Sequence, residues 1–278
     1  MKLFYFHRIL KTTEYVSIGP DASNSIDEQV FYDFLFANKS RLIDWNNIFL
    51  GSNNEKIGLT FDDGFYDFQE VALPLIEQFK VRVLVFVTTG FVSGSCRPYE
   101  YLVADLVSRL SQVNDGSDNL LSCKSEAEKE EVYQNIRVGL KRQPPKFREQ
   151  KLQQICAKND IHNDDLQSPS MLSWDDLKYV SKHPLVDIGA HTDNHPLLNK
   201  TSLKEAWREI KDSKAILENR LGKQIKYFAY PYGGYNLAVR SVVRGAGIKY
   251  AFTTYSNSSG NTALPRTDGV QWIKGNKS

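Results

Sequence analysis

The feature that most constrains this chain is its regular exchange of short, apolar, β-rich runs for amphipathic helical ones. Strand signals lie at residues 2–6, 56–61, 81–88, 185–190, 226–230 and 248–254, rich in Val, Ile, Phe and Tyr and bounded by Gly, Pro, Asn or Asp. Between them run helices with readable ends. Ser202 and Glu205 form a capping-box pattern, Leu203, Ala206, Ile210 and Leu217 recur on one face, and Gly222 follows the last turn. Ser173 with Asp176 opens another helix before Leu177 and Val180, and Asn236 opens one carrying Val239, Val242 and Val243. Such alternation implies a parallel sheet covered by helices. A chain of 278 residues is long enough for one α/β barrel, which typically takes about 250.

Residues 95–170 break the rhythm. Their pattern is helical: Val103, Leu106, Val107 and Leu110 share a face, Ser125 with Glu128 opens a charged helix, and another helix follows Pro144 and Pro145. No strand signal stands out there. Because the alternation then resumes, the stretch reads as a helical insertion within a single catalytic domain spanning 1–278. As an insertion in a surface connection it reads more as padding than as part of a site.

Charge narrows the partners. Thirty-five basic against thirty-three acidic side chains leave a formal charge of +2, so nothing in the balance calls for nucleic acid or an anionic membrane. No apolar run approaches the ~20 residues that cross a bilayer. The opening MKLFYFHRIL is interrupted by His7 and Arg8 and lacks the apolar core of a secretory signal, so a cytoplasmic location is expected. Cys96, Cys123 and Cys156 are odd in number and widely spaced, which fits reduced thiols and no CxxC metal knuckle.

Polar residues gather just after the strand signals. His7 follows the first, Asp62 and Asp63 the second, His191 and His195 the fourth, Tyr232 the fifth, and Arg266 follows Leu264 and Pro265. In a parallel barrel the carboxyl ends of all strands open on one face, so residues remote in sequence converge there. Adjacent carboxylates repel, and burying both is costly without a cation or hydrogen bonds. Asp62-Asp63-Gly64 is therefore either a helix-capping turn or a metal ligand beside a free base. Histidines four apart can hold one ion from a single helical turn, but Thr192 stands where a zinc protease would carry its glutamate, and Pro196 disfavours a longer helix. Asp63, His191 and His195 together make an open site suited to Zn²⁺ or a similar ion. His162 and His183 lack an acidic partner at ligand spacing and read as surface residues.

Leu59-Thr-Phe-Asp-Asp-Gly64, His191-Thr-Asp-Asn-His195 and Tyr230-Pro-Tyr-Gly233, in that order, resemble the first three motifs of the polysaccharide deacetylases (NodB-homology, carbohydrate esterase family 4). The approach to the second motif, Met171-Leu-Ser-Trp-Asp-Asp-Leu177 through to His191, is similar as well. The resemblance covers nearly the whole chain apart from parts of the insertion. It implies an α/β fold, a distorted (β/α)₇ barrel, with Asp62 as catalytic base and Asp63, His191 and His195 as ligands of a divalent metal. Zn²⁺ is first choice there, with Ni²⁺, Co²⁺ or Mn²⁺ as alternatives. It further implies an enzyme that removes N-acetyl groups from an amino-sugar glycan or its precursor, releasing acetate, with the Tyr232 amide facing the oxyanion. Bacterial surface-polysaccharide assembly is the setting this suggests.

Two departures stand out. The family's third motif usually has an arginine two residues before the proline, where this chain has Ala229, a form resembling the poly-N-acetylglucosamine deacetylases. Arg266 is the candidate replacement partner for Asp62. No histidine follows His195, and His7 resembles the amino-terminal histidine of circularly permuted members, where it acts as the acid. The missing arginine also leaves room for a non-catalytic carbohydrate-binding relative, and the same constellation would hydrolyse an O-acetyl ester or an N-formyl sugar. Tyr232, Tyr235, Phe65, Trp174 and Trp272 are the aromatic residues near the motifs that could face a sugar ring.

Overall fold

The computed structural model describes residues 2–11, 18–49, 55–117 and 119–276. From the amino end, β1 (Lys2–Phe6) and β2 (Arg8–Leu10) lead to α1 (Pro20–Asn24), β3 (Ser25–Asp27) and α2 (Glu28–Ala37). Then come β4 (Ile57–Phe61), α3 (Leu73–Phe79), β5 (Val83–Val87) and α4 (Thr89–Ser93). The insertion holds α5 (Tyr99–Arg109), β6 (Gln112–Asn114), β7 (Leu120–Ser122), α6 (Glu126–Lys141) and α7 (Pro145–Lys158). The chain continues with α8 (Trp174–Lys182), β8 (Val186–Ala190), α9 (Leu203–Leu221), β9 (Tyr227–Ala229), α10 (Leu237–Gly245) and β10 (Tyr250–Thr253). It closes with β11 (Leu264–Pro265), β12 (Thr267–Asp268) and α11 (Gly269–Gly275).

The main sheet runs in the order β11-β10-β9-β8-β5-β4-β1-β12, and all its pairs are parallel. Its two ends are two halves of one short segment. Leu264 and Pro265 pair with Phe252 and Thr253, while Thr267 and Asp268 pair with Phe4 and Tyr5. Arg266 lies between the halves, so this segment is a seventh staff that closes a distorted barrel of (β/α)₇ type. The sequence marks it only by the apolar pair before Arg266.

Period-two alternation decides what faces the barrel axis. On β5, Leu84 and Phe86 join an inner cluster with Leu3, Trp45, Ala229 and Phe252, whereas Val83, Val85 and Val87 join the larger layer under the helices. Trp45 packs 4.6 Å from the Tyr227 ring and bonds Asp187 Oδ2 at 2.7 Å, filling the end of the barrel away from the carboxyl ends of the strands. Carried along β4, the same parity turns Thr60 and then Asp62 inward; along β1 it does so for Tyr5 and His7, and along β8 for Gly189 and His191.

The helix ends follow the sequence signals. Ser173 and Ser125 make reciprocal capping boxes with Asp176 and Glu128, Asn236 caps α10 and Ser202 accepts from Glu205 N, while Gly222 ends α9 in the left-handed conformation. The insertion departs from the sequence reading. Besides helices it contains an antiparallel hairpin of β6 and β7, three residues a side, too short to register as an apolar alternation. It also has its own apolar cluster, including Leu102, Leu106, Val132, Leu140, Leu152 and Ile155. Cys96, Cys123 and Cys156 are free thiols. Among the described residues no helix is long and apolar enough to cross a membrane.

Gly189 leaves no room for a side chain inside the barrel: a Cβ there would stand 2.6 Å from the buried Phe86 ring and 3.1 Å from Tyr227 Cβ. Gly189→Ala is therefore expected to cost about 1–3 kcal/mol by overpacking. Urea denaturation checks this, and an unchanged midpoint would contradict the inward packing of Phe86.

Candidate active site

The strand ends meet in a pocket of about 280 Å³ whose lining includes His7, Asp62, Asp63, His191, His195 and Tyr232. Asp62 and Asp63 leave β4 in a turn closed by Gly64, with Asp62 N–H bonded to Phe6 O at 2.9 Å and Asp63 at φ 74°. His191 N–H bonds Val87 O at 2.9 Å at the end of β8. The His191–His195 segment is a loop, not the helical turn that the four-residue spacing suggests: Thr192 and His195 both have positive φ, at 68° and 50°. Pro196 and these left-handed residues exclude a helix, and the imidazoles converge across the loop.

Asp62 and Arg266 form a two-pronged ion pair, Nη1–Oδ1 2.6 Å and Nη2–Oδ2 2.8 Å, inside the protein. Nη1 also reaches Thr60 Oγ1 at 2.9 Å, and the guanidinium lies over the Tyr5 and Phe86 rings at 5.1 and 5.0 Å. Burial alone would raise the Asp62 carboxyl; the Arg266 charge, its hydrogen bonds and the neighbouring imidazoles His191 and His7 together outweigh it and hold the group below the usual carboxylate range. Arg266 is thus the charged partner of Asp62, and Ala229 offers no side-chain donor. Ala229 has a separate task, its carbonyl accepting from His191 Nδ1 at 2.8 Å.

Asp63 is solved differently. Its Oδ1 is buried and has no hydrogen-bond partner. It lies 3.6 Å from His191 Nε2 and 3.4 Å from His195 Nε2, and the two Nε2 atoms are 3.3 Å apart. Burial, then the neighbouring Asp62 charge, pushes the Asp63 carboxyl far up. Burial likewise lowers His191 to about 4 and drives His195 well below the usual imidazole range, so both rings are neutral at pH 7.

These three donors fit a divalent ion. A tetrahedral ion with N and O ligands at about 2.0–2.2 Å has ligand–ligand edges near 3.4 Å, which is the spacing found. Each imidazole is also prepared for the task. His191 Nδ1–H is committed to the Ala229 carbonyl, which leaves the Nε2 lone pair facing inward. The Tyr232 hydroxyl donates to Glu100, so its oxygen can accept from His195 Nδ1 at 3.2 Å, exposing that Nε2 in turn. A cation held between them would offset the charge that burial disfavours on Asp63 and take up both Nε2 lone pairs.

Residues the sequence reading missed hold the loop from behind. Arg148 of α7 donates to His195 O at 3.1 Å and Asn194 O at 2.5 Å, with its guanidinium 4.7 Å from the Tyr99 ring. Glu209 of α9 accepts from the backbone N–H of Asp193 and Asn194 at 2.9 and 2.8 Å. Glu100, Tyr101, Tyr133, Gln134, Arg137 and Lys141 of the insertion line the pocket, so the insertion builds a wall of the site and is not padding. Only their pattern as a helix was readable. Of the aromatic candidates, Tyr232 alone reaches the pocket. Phe65 is core, Trp272 packs on Phe4 and Phe34, Tyr235 stacks on Tyr230, and Trp174 lies under Arg220. His183 pairs with Glu77 at 2.8 Å, and His162 precedes a short 3₁₀ turn; neither lines the pocket.

The family model for polysaccharide deacetylases matches residues 51–251. The chain belongs to that family. A 58-residue stretch is 38% identical to the peptidoglycan-N-acetylmuramic acid deacetylase PdaC of Bacillus subtilis, covering 21% of this chain and 12% of that protein. Among solved structures, the fold is similar to Streptococcus pyogenes deacetylase PplD in complex with acetate (TM-score 0.60, 18% identity, 96% of this chain and 91% of that one). It is equally similar to IcaB from Ammonifex degensii (TM-score 0.60, 17% identity, 98% and 96%). A de-N-acetylase from Aggregatibacter actinomycetemcomitans follows (TM-score 0.58, 14% identity, 96% and 93%).

Two outcomes test the site. Arg266→Ala strands a buried carboxylate and should cost about 3–5 kcal/mol in denaturant unfolding; Arg266→Lys, which keeps charge but loses the fork, should lie between. A loss below 0.5 kcal/mol (roughly the scatter of ordinary surface changes) in Arg266→Ala would contradict the pairing. Zn²⁺ or Co²⁺ at a hundredfold excess over Kd should stabilise the protein by about 2.7 kcal/mol, seen as a higher Tm. His195→Ala should abolish that response.

Proposed function

We propose that the protein is a metal-dependent hydrolase that removes N-acetyl groups from an amino-sugar-containing glycan or its precursor, releasing acetate. The observation that carries the reading is the division of labour between adjacent carboxylates: Asp62 is locked to Arg266, while Asp63, whose Oδ1 has no hydrogen-bond partner, converges with two neutral imidazoles. A divalent ion held by Asp63, His191 and His195, Zn²⁺ first and Ni²⁺, Co²⁺ or Mn²⁺ next, would polarise the acetamide carbonyl and make water more acidic. Asp62 then takes the proton of the attacking water. Its ion pair keeps the carboxylate ionised and aimed, which a base must be. The Tyr232 backbone N–H is the donor we assign to the developing oxyanion.

His7 is the acid. It lines the same pocket from the end of β1, next to β4, and its ring packs edge-on to Tyr5 at 5.6 Å. Burial lowers its pKa, partly offset by the Asp62 charge. On taking up a proton it would deliver it to the departing nitrogen as the C–N bond breaks, giving acetate and a free amine. Arg266 supplying the partner that Ala229 cannot is what favours an enzyme over a non-catalytic binding relative.

Acetate release from chito-oligomers tests this. Asp62→Asn should lower kcat by about 10²–10⁴ while keeping the thermal response to metal. His7→Ala should slow turnover and also leave that response intact. Full activity in Asp62→Asn would overturn the assignment of the base.

A further inference from the structure

One wall of the pocket carries charge that the hydrolytic chemistry leaves unused. Arg137 and Lys141 stand one turn apart on α6, half-buried, and both line the pocket. Among the described residues neither has a carboxylate within ion-pair distance. Arg137 donates to the neutral Gln134 Oε1 at 3.1 Å, and Lys141 Nζ lies 4.2 Å from the centre of the Tyr232 ring. Glu100, the pocket carboxylate whose charge acts on both, accepts from the Tyr232 hydroxyl. Burial, and then the neighbouring Arg137 charge, lower the Lys141 ammonium, and the Glu100 charge offsets this only in part. Like charges at i and i+4 on a helix repel, and partial burial removes hydration.

A guanidinium fork beside a point-like ammonium is the donor set that receives carboxylate and phosphate oxygens. We propose that Arg137 and Lys141 bind an anionic substituent, carboxylate or phosphate, on the amino sugar being deacetylated. The substrate class is then an acidic or phosphorylated N-acetylated glycan unit, a refinement that rests on the deacetylase reading above. Its position follows from the shared Tyr232 ring, which is 4.2 Å from Lys141 Nζ and 4.6 Å from the His195 ring. An anion at α6 therefore lies one aromatic ring away from the ligand cluster, within reach of the same sugar or its neighbour.

The test compares acetate release from a neutral chito-oligomer, an oligosaccharide containing N-acetylmuramic acid, and an N-acetylglucosamine oligomer bearing a phosphomonoester. Wild type, Arg137→Gln, Lys141→Gln and the control Arg142→Gln, which removes an exposed charge outside the pocket, are assayed with metal present. At least one charged substrate should exceed the neutral one about tenfold in kcat/KM, mainly through KM. Which one does so separates carboxylate from phosphate. That ratio should collapse in Arg137→Gln and in Lys141→Gln and persist in Arg142→Gln. Turnover of the neutral oligomer without any preference for charge, or a ratio retained in both variants, would overturn the proposal and leave the deacetylase reading standing. If no substrate releases acetate, the deacetylase reading fails instead. Calorimetric binding of the charged sugars then decides the anion site: affinity about tenfold tighter in wild type than in Lys141→Gln supports it, and equal affinity refutes it.

Discussion

Two carboxylates on consecutive residues, both buried, are the constraint around which this molecule is arranged. An ionised group removed from water without a partner costs several kcal/mol, and two adjacent ones repel as well. The protein treats them unequally. Asp62 receives a guanidinium in a two-pronged pair from a residue 204 positions away, and Asp63 receives no hydrogen bond on its inner oxygen. On the function proposed above, that inequality separates a base from a metal ligand, although both side chains leave the same turn. It needs a closed parallel barrel, because only there do the ends of β4, β8 and the 264–268 segment face one another.

Support for the cluster comes from further out. The Ala229 carbonyl sets the tautomer of His191, and Glu100 acting through the Tyr232 hydroxyl does the same for His195. Arg148 and Glu209 bind the backbone of the intervening loop from two different helices. Asp63, Thr192, His195 and Tyr232 all hold positive φ without being glycine. Such conformations persist only where the surroundings over-determine them. Here the bracing is visible atom by atom, and much of it comes from the insertion.

Much of the site was legible because barrel geometry maps sequence position onto space. A polar residue one or two places after a β-rich run lies at the open face, which points to His7, Asp62, Asp63, His191, Tyr232 and Arg266; His195 is found by its four-residue spacing from His191, and the roles come from the family resemblance. Helix starts were equally readable, since Ser125, Ser173, Ser202 and Asn236 cap through local hydrogen bonds that sequence spacing encodes. What escaped depends on long-range packing. The hairpin of β6 and β7 is too short to show a period, and the closing segment has only two paired residues on each side. Glu100, Arg137, Lys141 and Arg148 looked like ordinary charges on helix surfaces. Only the docking of the insertion onto the barrel mouth turns them inward.

The central claim is that Asp63, His191 and His195 share one divalent ion while Asp62 stays bound to Arg266. Anomalous diffraction from crystals of the metal-loaded protein tests it most directly. The predicted result is a single peak about 2.0–2.2 Å from Asp63 Oδ1 and both Nε2 atoms, with the fork between Arg266 and Asp62 intact. A peak bonded to Asp62, or one that excludes either imidazole, would contradict it.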